Sequence, residues 1–253
     1  MIRFENVSKS FAPNGDPPSL VLSNIDLTVL DGEFVCVLGP SGCGKTTLLN
    51  LIAGFIFPTK GRVLFEGRQV TAPGPERALV FQDATLFPWL SVKKNVEFGL
   101  KLRGMKSDLL DETSLRYLDT MGLAKHAEKY PHSLSGGMRQ RVAIARVLAL
   151  EPKVLLMDEP FNALDANTRE RLQDELLRVW MSHRRTVVYV THSVDEAAYL
   201  ADRIIVLGSA ACGIFADRPA FLKRPRNRST TEFLAMKETL RNCLAAQPCC
   251  IQI

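Results

Sequence analysis

The sequence has no uncharged hydrophobic stretch long enough to cross a membrane as a helix. Its longest run without a charged residue, residues 46–59, is interrupted by Gly54 and Pro58. A membrane helix requires about 20 mostly apolar residues. The amino terminus also lacks the apolar core of a secretion signal, because Arg3 and Glu5 interrupt it. We therefore expect a chain that stays in the cytosol.

A large excess of one charge is absent as well. The 253 residues include 32 Lys and Arg against 27 Asp and Glu, a formal net charge of +5. A nucleic-acid-binding domain concentrates basic residues more strongly, so we expect no nucleic-acid partner. The hydrophobic fraction of 46% is typical of a globular protein. The length fits one large domain or two small ones.

The six cysteines lack the spacing of a structural metal site. Cys36 lies in an apolar run and Cys43 in a glycine-rich segment. The others come late in the chain, at Cys212, Cys243, Cys249 and Cys250. None is spaced with histidines as zinc ligands are. In a reducing cytosol we expect free thiols rather than disulfides.

Apolar strands alternate with helices along most of the chain. Continuous apolar runs predict buried strands, at residues 34–38, 154–157, 186–191 and 204–207. Shorter or alternating patterns predict further strands, at residues 2–7, 22–30, 62–66 and 78–81. Helical spacing covers residues 45–53, 166–183 and much of 83–150, and the last of these resembles an insertion. This alternation is typical of an α/β fold with a parallel sheet.

A phosphate-binding loop follows the first buried strand. The segment fits the pattern G-x-x-x-x-G-K-[ST] and reads Gly39-Pro40-Ser41-Gly42-Cys43-Gly44-Lys45-Thr46. Glycines let backbone N–H groups turn inward toward one anion, and the following helix adds the positive end of its dipole. Lys45 can reach the β- and γ-phosphates of a nucleotide, and the Thr46 hydroxyl can ligate Mg²⁺. We also expect a reactive Cys43 thiol, because nearby N–H groups and Lys45 would lower its pKa.

Two acids end a second buried strand. Asp158 and Glu159 follow residues 154–157, and the carboxyl ends of parallel strands face the ligand crevice. Asp158 is suited to hold Mg²⁺, while Glu159 can accept a proton from an attacking water. The alternative is that both acids merely cap the next turn, since Pro160 follows. The phosphate loop upstream favours the catalytic interpretation.

A second anion-binding helix start follows the insertion. Ser135, Gly136 and Gly137 begin a helix predicted to run to about Leu150, and serine is a good helix cap. Two glycines at a helix amino terminus create a site for another anion. An ordinary capped helix explains the serine but not the paired glycines.

Together these motifs resemble those of ATP-binding-cassette proteins, over residues 1 to about 240. In that family each ATP lies between one subunit's phosphate loop and the signature helix of another, which implies a homodimer of cassettes. The resemblance implies a P-loop NTPase, RecA-like core with an N-terminal antiparallel β subdomain and an inserted α-helical subdomain. It places the core at residues 1–82 and 151–215 and the helical subdomain at 83–150. Residues 216–253 are a tail whose end we expect to be disordered.

Further residues match the family in order. Gln82 resembles the glutamine that meets the γ-phosphate and Mg²⁺, and Asp165 ends the segment Asn162-Ala163-Leu164-Asp165 that matches the D-loop. His192 matches the switch histidine that contacts the γ-phosphate, although a lone histidine at a strand end is usually structural. Phe11 stands where the family stacks an aromatic ring, usually tyrosine, on adenine. Thr47 joins the nucleotide-binding loop.

Other segments resemble the nitrate, sulfonate and taurine importer branch. They read Leu86-Phe87-Pro88-Trp89-Leu90-Ser91-Val92, Tyr130-Pro131-His132-Ser133, Thr191-His192-Ser193-Val194-Asp195-Glu196-Ala197 and Arg224-Pro225-Arg226-Asn227-Arg228. The branch implies transmembrane permease partners, an indirect extracytoplasmic solute-binding protein, and a peripheral place at the cytoplasmic face of the inner membrane. Leu86, Phe87, Trp89 and Leu90 directly follow Gln82 without helical or strand periodicity, and we predict that they form part of the permease dock. The alternative is that some of them fill the core of the helical insertion, which we expect for at least one.

The resemblance thus implies an ATPase that couples MgATP hydrolysis to uptake of a small solute. An exporter motor is an alternative, because the core motifs do not encode direction. A cassette protein acting on nucleic acid or ribosomes is a second alternative, although known forms usually carry two cassettes or a long coiled coil. A non-hydrolytic ATP sensor is disfavoured by Glu159 and His192.

Overall fold

The computed structural model describes residues 1–12, 17–208 and 213–246. The chain divides into two compact units. The first unit comprises Met1–Gly74 and Arg184–Ile253, and the second comprises Pro75–His183. The domain boundaries expected from the sequence stay a prediction.

Ten strands and seven α-helices make up the described part of the chain. In chain order the strands are β1 (Ile2–Phe11), β2 (Ser19–Val29), β3 (Phe34–Leu38), β4 (Lys60–Phe65), β5 (Arg68–Gln69), β6 (Arg77–Val80), β7 (Val154–Asp158), β8 (Thr186–Thr191), β9 (Arg203–Leu207) and β10 (Ile214–Pro219). The helices are α1 (Lys45–Ala53), α2 (Val92–Leu102), α3 (Ser107–Thr120), α4 (Gly136–Ala149), α5 (Ala166–His183), α6 (Val194–Leu200) and α7 (Thr231–Ala245).

The first unit contains an antiparallel sheet and a mainly parallel one. The antiparallel sheet has the order β2-β1-β4-β5, and Ile2, Phe4 and Val7 of β1 bury their side chains. In the parallel sheet β3 lies between β8 and β9, and β10 runs antiparallel along β9. Every residue of β3 and β8 is buried, as continuous apolar strands require.

Helix α1 begins and ends at the residues predicted from its spacing. It runs over Lys45–Ala53 and stops at Gly54, whose φ of 83° lies in the left-handed region. The Gly54 N–H donates to the Asn50 carbonyl, and a Cβ at Gly54 would lie 2.4 Å from the Ala72 carbonyl oxygen. The glycine therefore both caps the helix and permits a close backbone approach.

The second unit contains the parallel pair β6 and β7 with helices α2 to α5. Its inserted helices pack on one another, chiefly α2 and α3 against α4. Two short 3-10 helices, Ala124–His126 and Pro131–Ser133, connect α3 to α4. The helical character predicted for residues 83–150 is confirmed.

Two arginines, Arg224 and Arg226, hold the carboxyl-terminal segment of the first unit in place. Arg226 is 7% exposed and donates to the carbonyls of Leu222, Ala198 and Tyr199. Arg224 bonds Asp202, and burial lowers the pKa of Arg226 to about 10. Helix α7 follows, while residues 247–253, the end expected to be disordered, lie outside the described residues.

Among the described residues no helix combines the length and apolar character needed to cross a membrane.

Candidate functional site

The phosphate loop is built between a buried strand and a helix, as predicted. Gly42 and Gly44 have φ values of 80° and 97°, which side chains rarely adopt. A Cβ at Gly44 would lie 2.7 Å from Leu22 Cδ2, and one at Gly39 would lie 2.8 Å from the Leu207 carbonyl oxygen. At these two positions glycine is required by the close packing beneath the loop. Nothing lies within 4 Å of a Cβ placed on Gly42.

Lys45 is buried inside this loop. Its side chain is only 6% exposed, and Nζ donates to the carbonyls of Gly39 at 2.9 Å and Pro40 at 2.8 Å. A buried ammonium needs such partners to offset its desolvation. The positive charge is thereby held at the centre of the loop, where a phosphate would meet it, while Thr46 at the start of α1 is exposed.

The thiol of Cys43 differs from the prediction. Cys43 is 4% exposed, and burial raises the pKa of its thiol, although Lys45 lowers it. Desolvation disfavours the thiolate more than the neighbouring charge favours it. The lowered pKa expected from the sequence is therefore wrong, because the sequence does not reveal that the thiol packs beneath the loop.

His192 emerges from the same sheet edge as the phosphate loop. Leu38 of β3 pairs in parallel register with Thr191 of β8, so Gly39 and His192 are the next residues on the two strands. His192 is exposed, and Ser193 after it caps α6. Within the first unit, the structure thus brings together the phosphate loop and the predicted switch histidine.

Phe11 lies at the end of β1, opposite Ser19 of β2. Its ring is 41% exposed, and Lys9 Nζ lies 4.8 Å from the ring centroid. An exposed ring with a cation beside it can accept a stacked base on its open face. Its role as an adenine platform stays a prediction.

The second unit repeats this arrangement with different residues. Val80 of β6 pairs with Met157 of β7, so Gln82 and the acids Asp158 and Glu159 follow at the same sheet edge. Asp158 is 5% exposed, whereas Gln82 is exposed. Within this unit the structure brings the predicted sensor glutamine and both acids to one edge.

Glu159 has an unusual backbone. Its φ is 44°, in the left-handed region that favours glycine. Its carbonyl accepts from the Asn162 N–H at 3.2 Å, and its Oε2 accepts from Asn162 Nδ2 at 3.4 Å. Backbone conformations of this kind cost free energy and are often retained at functional positions.

Two residues not singled out by the sequence analysis hold the segment around Gln82. Gln140, 2% exposed, donates from Nε2 to the Phe81 carbonyl at 3.0 Å. Arg146 donates to the Thr85 carbonyl at 2.8 Å. Both lie on α4, the helix that Ser135 begins. A polar residue on the buried face of an amphipathic helix was the available signal.

The signature helix begins at Gly136 with the predicted cap. Ser135 Oγ accepts from the Met138 N–H at 3.3 Å, which confirms the capping role. The paired glycines have different surroundings: a Cβ on Gly137 would lie 2.8 Å from Leu164 Cδ2, whereas near Gly136 only Arg139 comes within 4 Å. Packing therefore accounts for the second glycine but not for the first, whose freedom suits an approaching anion.

Asp165 acts as the cap of α5. Its Oδ1 accepts from the Thr168 N–H at 2.9 Å, and this hydrogen bond lowers the pKa of the carboxyl. The side chain is exposed. Its expected contact with nucleotide stays a prediction beside this structural role.

Comparison with known proteins identifies the class to which this fold and these motifs belong. The ABC transporter family model matches residues 22–162. An uncharacterized ABC transporter ATP-binding protein of Methanocaldococcus jannaschii is 49% identical over 96% of this chain and 91% of its own length. The chain belongs to the ABC transporter family and is an ATP-binding-cassette ATPase with a P-loop NTPase fold.

Relatives whose names include a transported solute are also similar. The nitrate import ATP-binding protein NrtD of Synechocystis is 48% identical over 83% of this chain and 80% of its own length. The bicarbonate transport ATP-binding protein CmpD of Synechocystis is 45% identical over 90% and 81%. Among solved structures, the dimeric ATP-binding cassette MJ0796 in a post-hydrolysis state with ADP and Pi gives a TM-score of 0.81 at 32% identity, covering 88% of this chain and all of that one.

Proposed function

We propose that this chain is the ATP-hydrolysing subunit of an importer for a small anionic solute of the nitrate, bicarbonate or sulfonate kind. The observation that carries the proposal is its similarity to the nitrate and bicarbonate import proteins over most of both chains. The subunit would couple ATP hydrolysis in a cassette dimer to uptake through membrane permease subunits.

The phosphate loop fits the triphosphate of ATP. The buried Lys45 charge and the glycine turns at 42 and 44 supply a compact positive cradle before the amino terminus of α1. Phe11 offers an exposed ring for the adenine. Lys45 would contact the phosphates already in the ground state, so its main contribution is nucleotide affinity.

The residues present also fit Mg²⁺. Mg²⁺ prefers oxygen ligands and is usually held by one or two protein groups together with substrate phosphates. The exposed Thr46 hydroxyl, the Asp158 carboxylate and the Gln82 side-chain oxygen are such ligands. Among the described residues no cluster of three or more histidines, cysteines or acids could hold a metal ion by itself. Bound Mg²⁺ would neutralise charge on the transferred phosphoryl group.

Glu159 is the proposed general base. It directly follows Asp158 and has the strained backbone described above. Its carboxylate would accept a proton from the attacking water, while Gln82 and His192 contact the terminal phosphate and sense its presence.

A second copy would complete each nucleotide site. The exposed Ser135 hydroxyl and the open side of Gly136 are suited to the phosphates held by the other copy's loop, and Gly137 follows on the same helix start. Asp165 would line the same dimer interface. Closing two cassettes on two ATP molecules, and reopening them after hydrolysis, is a population shift that can drive the permease.

The permease dock is proposed at residues 86–90 of the second unit. Trp89 is 71% exposed, whereas Phe87 packs on Phe98 with ring centroids 4.4 Å apart. Asn95 is fully buried and holds this loop, since its Nδ2 donates to the carbonyls of Phe87, Leu90 and Ser91. A rigid loop that exposes a tryptophan is a favourable anchor for a partner. Binding there would hold the subunit peripherally at the cytoplasmic face of the membrane, with a solute-binding protein as an indirect partner.

Co-purification from native membranes tests the proposed function. The wild-type subunit should bring down a transmembrane permease, identified by mass spectrometry, and Trp89→Ser should lose it while keeping its fold and basal ATPase activity. Phe221→Ser is the matched control, because Phe221 is 84% exposed but lies in the other unit. Recovery of ribosomal or nucleic-acid partners in place of a permease would contradict the proposal, and normal assembly of Trp89→Ser would contradict the dock.

A further inference from the structure

A buried hydrogen-bond network lies beside the backbone that carries His192. Tyr189 and Thr191 lie two residues apart on β8, so their side chains share one face of the strand. Both hydroxyls donate to Oε2 of Glu196, Tyr189 at 2.9 Å and Thr191 at 2.6 Å. The three side chains are 0%, 1% and 6% exposed, respectively. Neither the phosphate loop nor the proposed chemistry uses these groups.

The network is a modified capping box. Ser193 caps α6, and its Oγ accepts from the Glu196 N–H at 3.4 Å. In an ordinary capping box the glutamate side chain reaches back to the N–H of the capping residue itself. Here Glu196 bonds the Thr191 hydroxyl instead, and Thr191 Oγ1 accepts from the Ser193 N–H at 2.9 Å. The Thr191 hydroxyl thus lies between the Glu196 carboxylate and the N–H of the capping residue Ser193.

The direction of the threonine proton follows from its partners. A hydroxyl has one proton and can also accept through its lone pairs, whereas an ionised carboxylate only accepts. Because Thr191 donates to Glu196, its lone pairs face the Ser193 N–H. That N–H belongs to the His192–Ser193 peptide, whose plane includes His192 Cα. The hydrogen bond therefore fixes the orientation of this peptide and restrains the backbone that carries the histidine side chain.

We propose that Thr191 is a positioning residue for His192, acting through the Glu196–Thr191–Ser193 relay; this inference rests on the proposed role of His192 at the γ-phosphate. Tyr189 donates to the same carboxylate oxygen, whereas the hydrogen bond from the Ser193 N–H goes to Thr191 Oγ1. Removing one hydroxyl at a time therefore distinguishes an effect on the position of His192 from a general effect on the stability of the buried network.

Two variants exploit this difference. Thr191→Val removes the hydroxyl at nearly constant shape and leaves the Ser193 N–H without its acceptor. Tyr189→Phe removes the other hydroxyl from the same carboxylate and leaves the relay intact. Each deletes one buried hydrogen bond to Glu196, and Thr191→Val also deletes the bond from the Ser193 N–H, so we expect both variants to lose melting temperature and Thr191→Val to lose more.

The expected kinetic effects differ. Thr191→Val should lower kcat for ATP hydrolysis about 10- to 100-fold, since small misplacement of a catalytic group has effects of this size. The KM for ATP should be unchanged, because the phosphate loop is untouched. Tyr189→Phe should keep wild-type kcat, and Thr191→Ser, which restores the hydroxyl, should recover most of the turnover.

The same assay includes His192→Ala as a reference. Equal loss of kcat in Thr191→Val and Tyr189→Phe, or loss in neither while His192→Ala is inactive, would overturn the positioning role and leave the proposed function standing. Normal turnover in His192→Ala would instead overturn the histidine's proposed role and, with it, the inference. If Thr191→Val does not fold, Thr191→Ala replaces it, with hydrogen exchange of the Ser193 amide as a direct readout: faster exchange there than in Tyr189→Phe is expected, and equal exchange would contradict the relay.

Discussion

The two units end their parallel strand pairs in the same register but hold the residues that follow in different ways. In the first unit, Leu38 pairs with Thr191, and the buried Lys45 of the adjoining loop is bonded to two loop carbonyls. In the second, Val80 pairs with Met157, and Glu159 follows in a turn with a φ of 44°. One edge presents a positive charge that is already in place, and the other presents acids and an amide.

This difference suggests a division of work. A pre-positioned, buried cation favours ground-state binding of phosphates, because the loop around it does not have to rearrange. The proposed general base Glu159, which follows the proposed magnesium ligand Asp158, would be needed only when water attacks the phosphate. Substitution of Lys45 should therefore change nucleotide affinity, and substitution of Glu159 should change turnover.

The largest expected effect is on turnover in the second unit. Glu159→Gln should bind ATP, accumulate as an ATP-bound dimer and hydrolyse about 10²- to 10⁴-fold more slowly, because general-base help is lost. Steady-state ATPase assays measure the effect. The matched control is Glu151→Gln, another glutamate of this unit with a positive φ, 48°, whose activity should be normal. Near-normal hydrolysis by Glu159→Gln would show that Glu159 is not the base.

The next effect is on affinity in the first unit. Lys45→Ala should weaken ATP binding about 10- to 100-fold, the size expected for losing a hydrogen bond to a charged group. Equilibrium titration measures it. Lys60→Ala removes the same charge from an exposed position on β4 and should bind ATP normally. Unchanged affinity in Lys45→Ala would contradict the role of the buried cation.

The smallest expected effect concerns the reactivity of the Cys43 thiol, not ATP binding or hydrolysis. Burial raises the pKa of the Cys43 thiol, so little thiolate is present at neutral pH, where the thiolate is the reactive form. Brief alkylation followed by peptide mapping should label the buried Cys43 more slowly than the half-buried Cys243. The rate at Cys43 should rise with pH. Preferential labelling of Cys43 at pH 7 would contradict the raised pKa and support the lowered pKa expected from the sequence.

Local patterns in the sequence were enough to predict much of the fold. The bounds of β3, α1 and α5 agree with those expected from apolar runs, helical spacing and the Gly54 stop. These elements are defined by short-range physics, because each buries one continuous apolar surface. The sites at the carboxyl ends of the strand pairs β3–β8 and β6–β7 were also predictable in outline, since the candidate functional residues lie at or directly after strand ends.

The parts that were missed depend on contacts far apart in sequence. Arg226 is charged, yet it is buried, because the nearby Leu222 carbonyl and the distant Ala198 carbonyl accept hydrogen bonds from its guanidinium. The pKa of Cys43 depends on burial that only the folded chain defines. Gln140 holds the Phe81 carbonyl across 59 residues, and no local pattern indicates this pairing. Tertiary partners, rather than propensity, determine each of these features.

Side-by-side ATP titration and turnover of Glu159→Gln and Lys45→Ala test the division of work most directly. The account predicts wild-type affinity with lost turnover for Glu159→Gln, and clearly weakened affinity for Lys45→Ala. The reverse pattern, in which Glu159→Gln binds ATP poorly while Lys45→Ala binds it normally, would contradict the account.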